Sequence, residues 1–219
     1  GDGTYFSVGA DKGKFSKIIS YEKQITDDRL SRCHAIIINN AQTEVAVVNI
    51  ALDTTYIYSI DDGKLIYQDQ LKYPQGSGPR HAVYSDDDKY LYTITEYSNE
   101  IIVINRGTKE VVQIISTVPN FKGITYGATL LFSKDRKFLF ATNRGEDTIA
   151  KFAISDKLTY INSFSCGGKH PRHMTITKDG RYLINCNKDS NNVTFFDIKQ
   201  EKIVHEIPFI LPTGIVEVE

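Results

Sequence analysis

Hydrophobic residues along this chain come in short runs rich in Ile, Val, Tyr and Phe, and turn-forming residues separate the runs. Examples are the segments 100–104, 137–141 and 193–198. This pattern is typical of many short antiparallel strands. Helical periodicity over about eleven residues is hard to find anywhere in the sequence. The pattern therefore predicts an all-β protein.

One segment of the chain is repeated. Residues 78–96 form a strand, a polar turn and a second strand, and residues 170–188 have the same pattern. Two weaker copies can be aligned with them. We call the residue that opens each copy the entry residue, and the four entry residues are His34, Arg80, Ala128 and Arg172. Their spacings are 46, 48 and 44 residues. Two further strands follow each copy, and four strands per repeat of this length are the signature of a β-propeller blade.

The two ends of the sequence predict an incomplete ring. Residues 4–23 resemble the last two strands of a blade, and residues 214–218 resemble one closing strand. We therefore predict one propeller domain over 1–219, N-terminally incomplete, with about four and a half blades of a ring of seven. The alternative is that two such arcs assemble into one ring. Open blade edges are costly to expose, so self-association through them is possible.

Composition narrows the choice of partners. The 219 residues carry a net charge of -1, which does not indicate nucleic acid or an anionic membrane surface as a partner. No apolar run approaches the roughly 20 residues that span a bilayer, and no signal peptide is visible. Cys33, Cys166 and Cys186 form neither a disulfide framework nor a zinc motif. These features predict a cytoplasmic protein.

The candidate chemistry lies at one end of the inner hairpins. We call the residue sixteen positions after each entry residue the exit residue, and the exit residues are Ile50, Glu96, Arg144 and Lys188. The hairpin length is expected to place entry and exit residues at the same rim of the central channel. Together, the entry and exit residues predict a positively charged cup that contains one carboxylate and binds a small anion. Arg172 and Lys188 are the expected substrate-binding residues. The alternative is that Arg80 and Glu96 merely close their own hairpin.

Histidines outside the entry set suggest structural roles. His81 and His173 each follow an entry arginine, and we expect them to bond neighbouring blades. His170 and His173 have no third ligand nearby, so no metal site is expected. No P-loop or nucleophile elbow is present, and no cofactor is expected.

Several motifs together resemble one family. They are Gly76-Ser77-Gly78-Pro79-Arg80-His81, Glu96, Ala141-Thr142-Asn143-Arg144-Gly145-Glu146-Asp147, Gly167-Gly168-Lys169-His170-Pro171-Arg172-His173 and Asn191-Asn192-Val193. They are similar to the lactonase family of seven-bladed propellers, which includes propeller-type 6-phosphogluconolactonases and fungal carboxymuconate-lactonising enzymes. The chain departs from that family at Tyr126-Gly127-Ala128-Thr129, where relatives tend to place Glu and His, and in the turn after His34.

The resemblance implies an active site and a reaction. The family's proposed catalytic residues fall on His34, Arg80, Glu96 and Arg144. The implied reaction is hydrolysis of a phosphorylated sugar lactone in the pentose phosphate pathway, with Glu96 as general base and without metal or cofactor. Two alternatives stay open: a muconate-type ring closure at the same site, and a propeller that binds without catalysing.

Overall fold

A computed structural model describes residues 31–217 together with two short strands, β1 (Phe6–Val8) and β2 (Phe15–Lys17). Sixteen further strands form four antiparallel sheets of four. Within each sheet the strands are ordered as they follow one another along the chain. This is the blade architecture of a β-propeller, so the predicted all-β fold class is confirmed.

Each blade is a meander of four strands. The first comprises β3 (Cys33–Ile38), β4 (Glu44–Asn49), β5 (Thr54–Asp61) and β6 (Lys64–Lys72). The second comprises β7 (Pro79–Tyr84), β8 (Tyr90–Thr95), β9 (Glu100–Asn105) and β10 (Val111–Ser116). The third comprises β11 (Tyr126–Phe132), β12 (Phe138–Arg144), β13 (Thr148–Ile154) and β14 (Leu158–Ser165). The fourth comprises β15 (Pro171–Ile176), β16 (Tyr182–Asn187), β17 (Asn192–Asp197) and β18 (Lys202–Pro208).

The hydrophobic core lies between facing blades. Strands β8 and β9 are covered on both faces, which explains why residues 101–104 are apolar without alternation. Leu91 and Ile102 pack against Ala46 and Ile57 of the first blade. The inner strands β3, β7, β11 and β15 contact one another in sequence, so they line the central channel. The blades are therefore fixed by apolar side chains that only neighbouring sheets can bury.

A polar residue with positive φ links each blade to the next. These four junction residues lie nineteen positions after the entry residues and are Asp53, Asn99, Asp147 and Asn191. Asp147 has φ +60° and its Oδ1 accepts the N–H groups of Gly145 and His170, at 3.0 and 2.8 Å. Asp and Asn tolerate this left-handed conformation better than other side chains do. The junction residue therefore ends one hairpin and positions the start of the next blade.

His81 forms a second link between blades. Its Nδ1 accepts the backbone N–H of Leu130 in the third blade at 3.3 Å. Burial and the positive charge of Arg80 lower the pKa of His81 to about 4, so the neutral ring that accepts this bond persists at neutral pH. The prediction that His81 bonds the neighbouring blade is confirmed.

The C-terminal segment joins the fourth blade in the manner of a further blade. Leu211 has φ +48° and donates its N–H to Oδ1 of the junction residue Asn191 at 2.9 Å. The N–H of Ile215 donates to Nδ1 of His173 at 3.4 Å, as Leu130 does to His81. The closing strand over 214–218 stays a prediction. Residues 214–217 have no strand assignment, and Val218 lies outside the described residues.

The predicted half blade over 4–23 lies largely outside the described residues. Within it, β1 and β2 pair antiparallel. The single incomplete domain and its self-association stay predictions. Ile36 and Ile38 on the first blade are each 56% exposed, as an open blade face would leave them. The described part of the chain contains no helix with the length and hydropathy needed to cross a lipid bilayer.

Replacing Asp147 with alanine should lower the free energy of unfolding by about 1–3 kcal/mol. Two backbone N–H groups lose their acceptor, and alanine tolerates positive φ poorly. Asp147→Asn is the matched control, because asparagine occupies the equivalent positions 99 and 191 and keeps Oδ1. Chemical denaturation measures both variants. Equal losses for alanine and asparagine would contradict the linking role of this side chain.

Candidate active site

A β-bulge at the entry residue shapes every inner hairpin. In the second blade Pro79 pairs with Thr95 and His81 pairs with Ile94, so Arg80 is an extra residue without a partner. The same register shift leaves His34 and Arg172 unpaired in their blades. In the third blade the shift spans Ala128 and Thr129. A bulge re-aims the side chain of its extra residue.

This register corrects one detail of the prediction. The exit residues do not lie opposite the entry residues but opposite the residues two positions earlier. The N–H of Glu96 donates to the carbonyl of Gly78 at 2.6 Å, and that of Lys188 donates to His170 at 3.1 Å. The spacing alone does not reveal the offset, because a separation of sixteen residues fits a regular hairpin as well as a bulged one. Entry and exit residues still lie at one end of the channel, which we call the channel mouth.

Glu96 joins arginines from two blades. Its Oε2 lies 3.0 Å from Nε of Arg80 and 3.2 Å from Nη2 of Arg144. The two arginine side chains are only 3% and 7% exposed, and Glu96 is 18% exposed. Arg80 also donates from Nη1 to the carbonyl of Ala128 at 2.5 Å. The cluster therefore spans the second and third blades, and Arg80 does more than close its own hairpin.

The arginine cluster is not fully neutralised. Arg144 donates from Nη2 to the carbonyl of Gly127, but its buried Nε has no hydrogen-bond partner among the described residues. Burial and the positive charge of Arg144 lower the pKa of Arg80 to about 9. Burial also lowers the pKa of Arg144. An unsatisfied buried donor is typical of a place that water or a ligand completes.

Arg172 and His34 lie within electrostatic range of this cluster. Burial among the surrounding protein atoms, with the positive charges of Arg80 and Arg172, lowers the pKa of His34 to about 3. His34 occupies the bulge of β3, and β3 packs beside β7, which carries Arg80. With this pKa, His34 is neutral at pH 7.

Lys188 belongs to a neighbouring ion pair. Its Nζ lies 3.5 Å from Asp189, whose other oxygen lies 3.1 Å from Nδ1 of His170. Asp189 thus partly neutralises the positive charge expected at this exit residue. Of the six predicted site residues, the described geometry gathers His34, Arg80, Glu96, Arg144 and Arg172, with Lys188 in this adjacent pair.

Three residues at the channel mouth escaped the sequence prediction. Tyr126 pairs with Arg144, and the Arg144 guanidinium lies 5.7 Å from the centre of its ring. Tyr97 follows the exit residue Glu96 and contacts Tyr126, and Arg32 donates to its hydroxyl. Arg32 and Tyr126 each lie two positions before an entry residue, and Tyr97 lies one position after an exit residue. Inspecting these neighbouring positions in the sequence would have identified all three residues.

The geometry suits the binding of an anion. Two arginines contact one carboxylate, and a third, Arg172, lies close enough to affect the pKa of both of them. The forked donors of arginine match carboxylate or phosphate oxygens. Glu96 accepts both arginines on Oε2, which leaves Oε1 without a hydrogen-bond partner among the described residues. Within the same described range, no three His, Cys, Asp or Glu side chains gather in a way that could hold a metal ion.

Comparison with known sequences finds a family model and several individual proteins that match this chain. The chain matches the model of the family described as lactonase, seven-bladed β-propeller, over residues 8–204. It is 29% identical over 165 residues to a protein named 6-phosphogluconolactonase from Bacillus subtilis (strain 168), covering 72% of this chain and 47% of that protein. It is 30% identical over 185 residues to an uncharacterized protein of Staphylococcus aureus (strain USA300), covering 80% of this chain and 54% of that protein. The chain thus spans about half the length of the curated relatives it matches.

Solved structures share the fold. A periplasmic gluconolactonase of Pseudomonas aeruginosa superposes with a TM-score of 0.74 at 21% identity, covering 84% of this chain and 56% of that one. A protein from Lactobacillus plantarum superposes with a TM-score of 0.79 at 25% identity, covering 97% of this chain and 67% of that one. At 21% identity the first likeness concerns the fold alone.

The imidazole of His34 should stay neutral when the protein is titrated by NMR from pH 8 to about pH 5. The reason is its pKa of about 3, set by burial and the nearby arginines. His34→Gln assigns the signal. Arg172→Met should raise this pKa towards 6.5, because one of the nearby positive charges is removed. A wild-type His34 that titrates near 6.5 would show that the arginines are not close to it.

Proposed function

The chain belongs to the lactonase family of seven-bladed β-propellers, and from that premise we propose that it hydrolyses a phosphorylated sugar lactone to the corresponding acid. The activity is of the 6-phosphogluconolactonase type, the name carried by the Bacillus subtilis relative. We place the reaction in the cytoplasm, within the pentose phosphate pathway.

One observation carries the proposal. A partly exposed carboxylate, Glu96, lies between two buried arginines from different blades, with one oxygen left for another partner. Burying two arginines against a single carboxylate costs desolvation energy that apolar residues would not incur. A blade interface gains little stability from such an arrangement. In a site that binds an anion and activates water, the two arginines supply positive charge and hold the carboxylate in a fixed position.

In the proposed mechanism, Glu96 takes a proton from the attacking water through Oε1. The new C–O bond forms at the lactone carbonyl, and negative charge develops on the carbonyl oxygen. Arg80 and Arg144 lie within hydrogen-bonding distance of the same carboxylate, so their guanidinium groups are placed to stabilise that oxyanion. Glu96 then returns the proton to the ring oxygen as the ring C–O bond breaks, and the products are one hydroxyl and one carboxylic acid.

The state of His34 limits its role. Its pKa of about 3 means that almost no imidazolium is present at neutral pH to protonate a leaving oxygen. A neutral ring retains one N–H donor and one acceptor. We therefore assign His34 to polarising the lactone carbonyl through its N–H group rather than to acid catalysis.

Arg172 is the proposed contact for the substrate phosphate. It is the third arginine of the channel mouth, and no hydrogen bond or ion pair of its guanidinium to another described side chain is present, in contrast to Arg80 and Arg144. Lys188 adds positive charge beside it, reduced by the ion pair with Asp189. A phosphorylated sugar lactone would thus present its phosphate to Arg172 and its carbonyl to the Glu96 cluster.

Glu96→Gln should abolish hydrolysis of 6-phosphogluconolactone, because glutamine cannot take the proton from water, with a loss on the order of 100-fold or more. The amide still accepts one arginine hydrogen bond, so the fold should persist. Glu44→Gln is the matched control: Glu44 also binds a partly buried arginine, Arg106 at 2.7 Å, but at the far end of the inner hairpin. A spectrophotometric lactonase assay measures both. An unchanged rate in Glu96→Gln would exclude the assigned role.

Arg172→Met should raise the KM for a phosphorylated lactone by about 10- to 100-fold and change kcat little, because a charge-assisted contact to a remote group is lost. Steady-state kinetics with phosphorylated and unphosphorylated glucono-lactone separate this role from a general one. The unphosphorylated lactone should be affected little. Equal effects on both substrates would remove Arg172 from phosphate recognition.

A further inference from the structure

Two tyrosines at the channel mouth keep large parts of their rings in solvent. Tyr97 and Tyr126 are 41% and 40% exposed, although both lie beside residues that are nearly fully buried. Their ring centres are 6.4 Å apart, and the rings are nearly perpendicular at 81°. The pair therefore forms an aromatic corner, by which we mean these two rings, at the edge of the Glu96 cluster.

Tyr97 is fixed in place by its surroundings. One side of its ring lies against Gly78, where a Cβ atom would come within 2.5 Å of the tyrosine Cδ2. The Tyr97 hydroxyl accepts a hydrogen bond from Nη2 of Arg32, and the Arg32 guanidinium carbon lies 5.9 Å from the ring centre. Glycine at position 78 is thus required both by its φ of +68° and by the closeness of this ring. A tyrosine held on several sides and still exposed is an ordered surface rather than a loose side chain.

Tyr126 is held from the opposite side. It pairs with Arg144 in the sheet, and the guanidinium carbon of Arg144 lies 5.7 Å from its ring centre. Its hydroxyl makes no hydrogen bond with any other described residue. The ring, rather than the hydroxyl, is what Tyr126 contributes to the channel mouth. The same arginine therefore contacts both the carboxylate Glu96 and the aromatic corner.

We propose that the aromatic corner is a subsite that binds the apolar C–H face of a sugar ring, while the neighbouring arginines bind the anionic group of the same ligand. This inference rests on the proposed function and adds to it the residues that recognise the ring of the substrate. It assigns specificity to Tyr126 and Tyr97, and neither residue takes part in the reaction.

The chemistry of a sugar ring matches this surface. One face of a pyranose presents C–H groups, which pack on the electron-rich face of an aromatic ring, while its hydroxyls point outward to water. Ligand sites combine such apolar contact with a few charged groups that fix orientation. Tyr126 and Arg144 provide that combination side by side. A small open-chain anion could use the arginines but would gain little from the rings.

The test uses glucose 6-phosphate, an inert molecule with a pyranose ring and a phosphate, so it does not depend on lactone hydrolysis. Isothermal titration calorimetry compares it with glycerol 3-phosphate, which has the phosphate without the ring. Wild-type protein should bind glucose 6-phosphate more tightly. Tyr126→Leu should weaken that binding about tenfold, the effect expected for one lost aromatic contact, and leave glycerol 3-phosphate unchanged.

Two controls isolate the ring. Tyr126→Phe should retain wild-type affinity, because the ring is kept. Tyr67→Leu should also behave as wild type, because Tyr67 is 38% exposed and packs edge-on against Tyr58 at 5.8 Å but lies on the outer strand β6. The proposal is overturned if the wild type shows no preference for glucose 6-phosphate, or if Tyr126→Leu weakens both ligands equally. A lactonase assay of the wild type is read separately, so loss of the proposed reaction would not be mistaken for loss of the subsite.

Discussion

One extra residue at the start of each inner strand determines where the charges of this propeller lie. A regular hairpin would pair Arg80 with a residue of β8 and hold it in the pleat of the sheet. The bulge instead pairs Pro79 and His81 and frees Arg80 to reach both Glu96 and the carbonyl of Ala128 in the next blade. The repetition of this bulge in every complete blade brings side chains from separate repeats to one end of the channel.

The channel mouth shows the energetic cost of this arrangement. Arg80 and Arg144 are almost fully buried, share a single carboxylate, and leave the buried Nε of Arg144 without a partner in the described structure. The blade interfaces away from the mouth are packed by apolar side chains, as between Leu91 and Ala46. Stability thus comes from the blade faces, and the mouth departs from that pattern where charge is useful for binding and catalysis. Burial, followed by the crowding of positive charge, lowers the pKa values of His34 and Arg80.

The sequence was sufficient for the blades and for the set of charged positions. Strand patterns are local, and a repeat of about 46 residues aligns them, so Arg80, Glu96, Arg144 and Arg172 could be selected before any coordinates. The bond from His81 to the next blade was expected, but the contact of Arg144 with Glu96 could not be predicted, because it depends on the angle between two sheets. The bulge was hidden because it alters pairing without altering spacing. The segment 214–217 has the residues of a strand but lacks a strand assignment, which requires a hydrogen-bonded neighbour as well as a suitable sequence.

The central claim is that the channel mouth is the binding site for a phosphorylated sugar derivative. A crystal structure of the wild-type protein with 6-phosphogluconate tests it most directly. The account predicts anionic groups of the ligand within hydrogen-bonding distance of at least two of Arg80, Arg144 and Arg172. A ligand bound at the opposite end of the channel, near Ile38 and Phe132, or an unliganded mouth at saturating concentration, would contradict it.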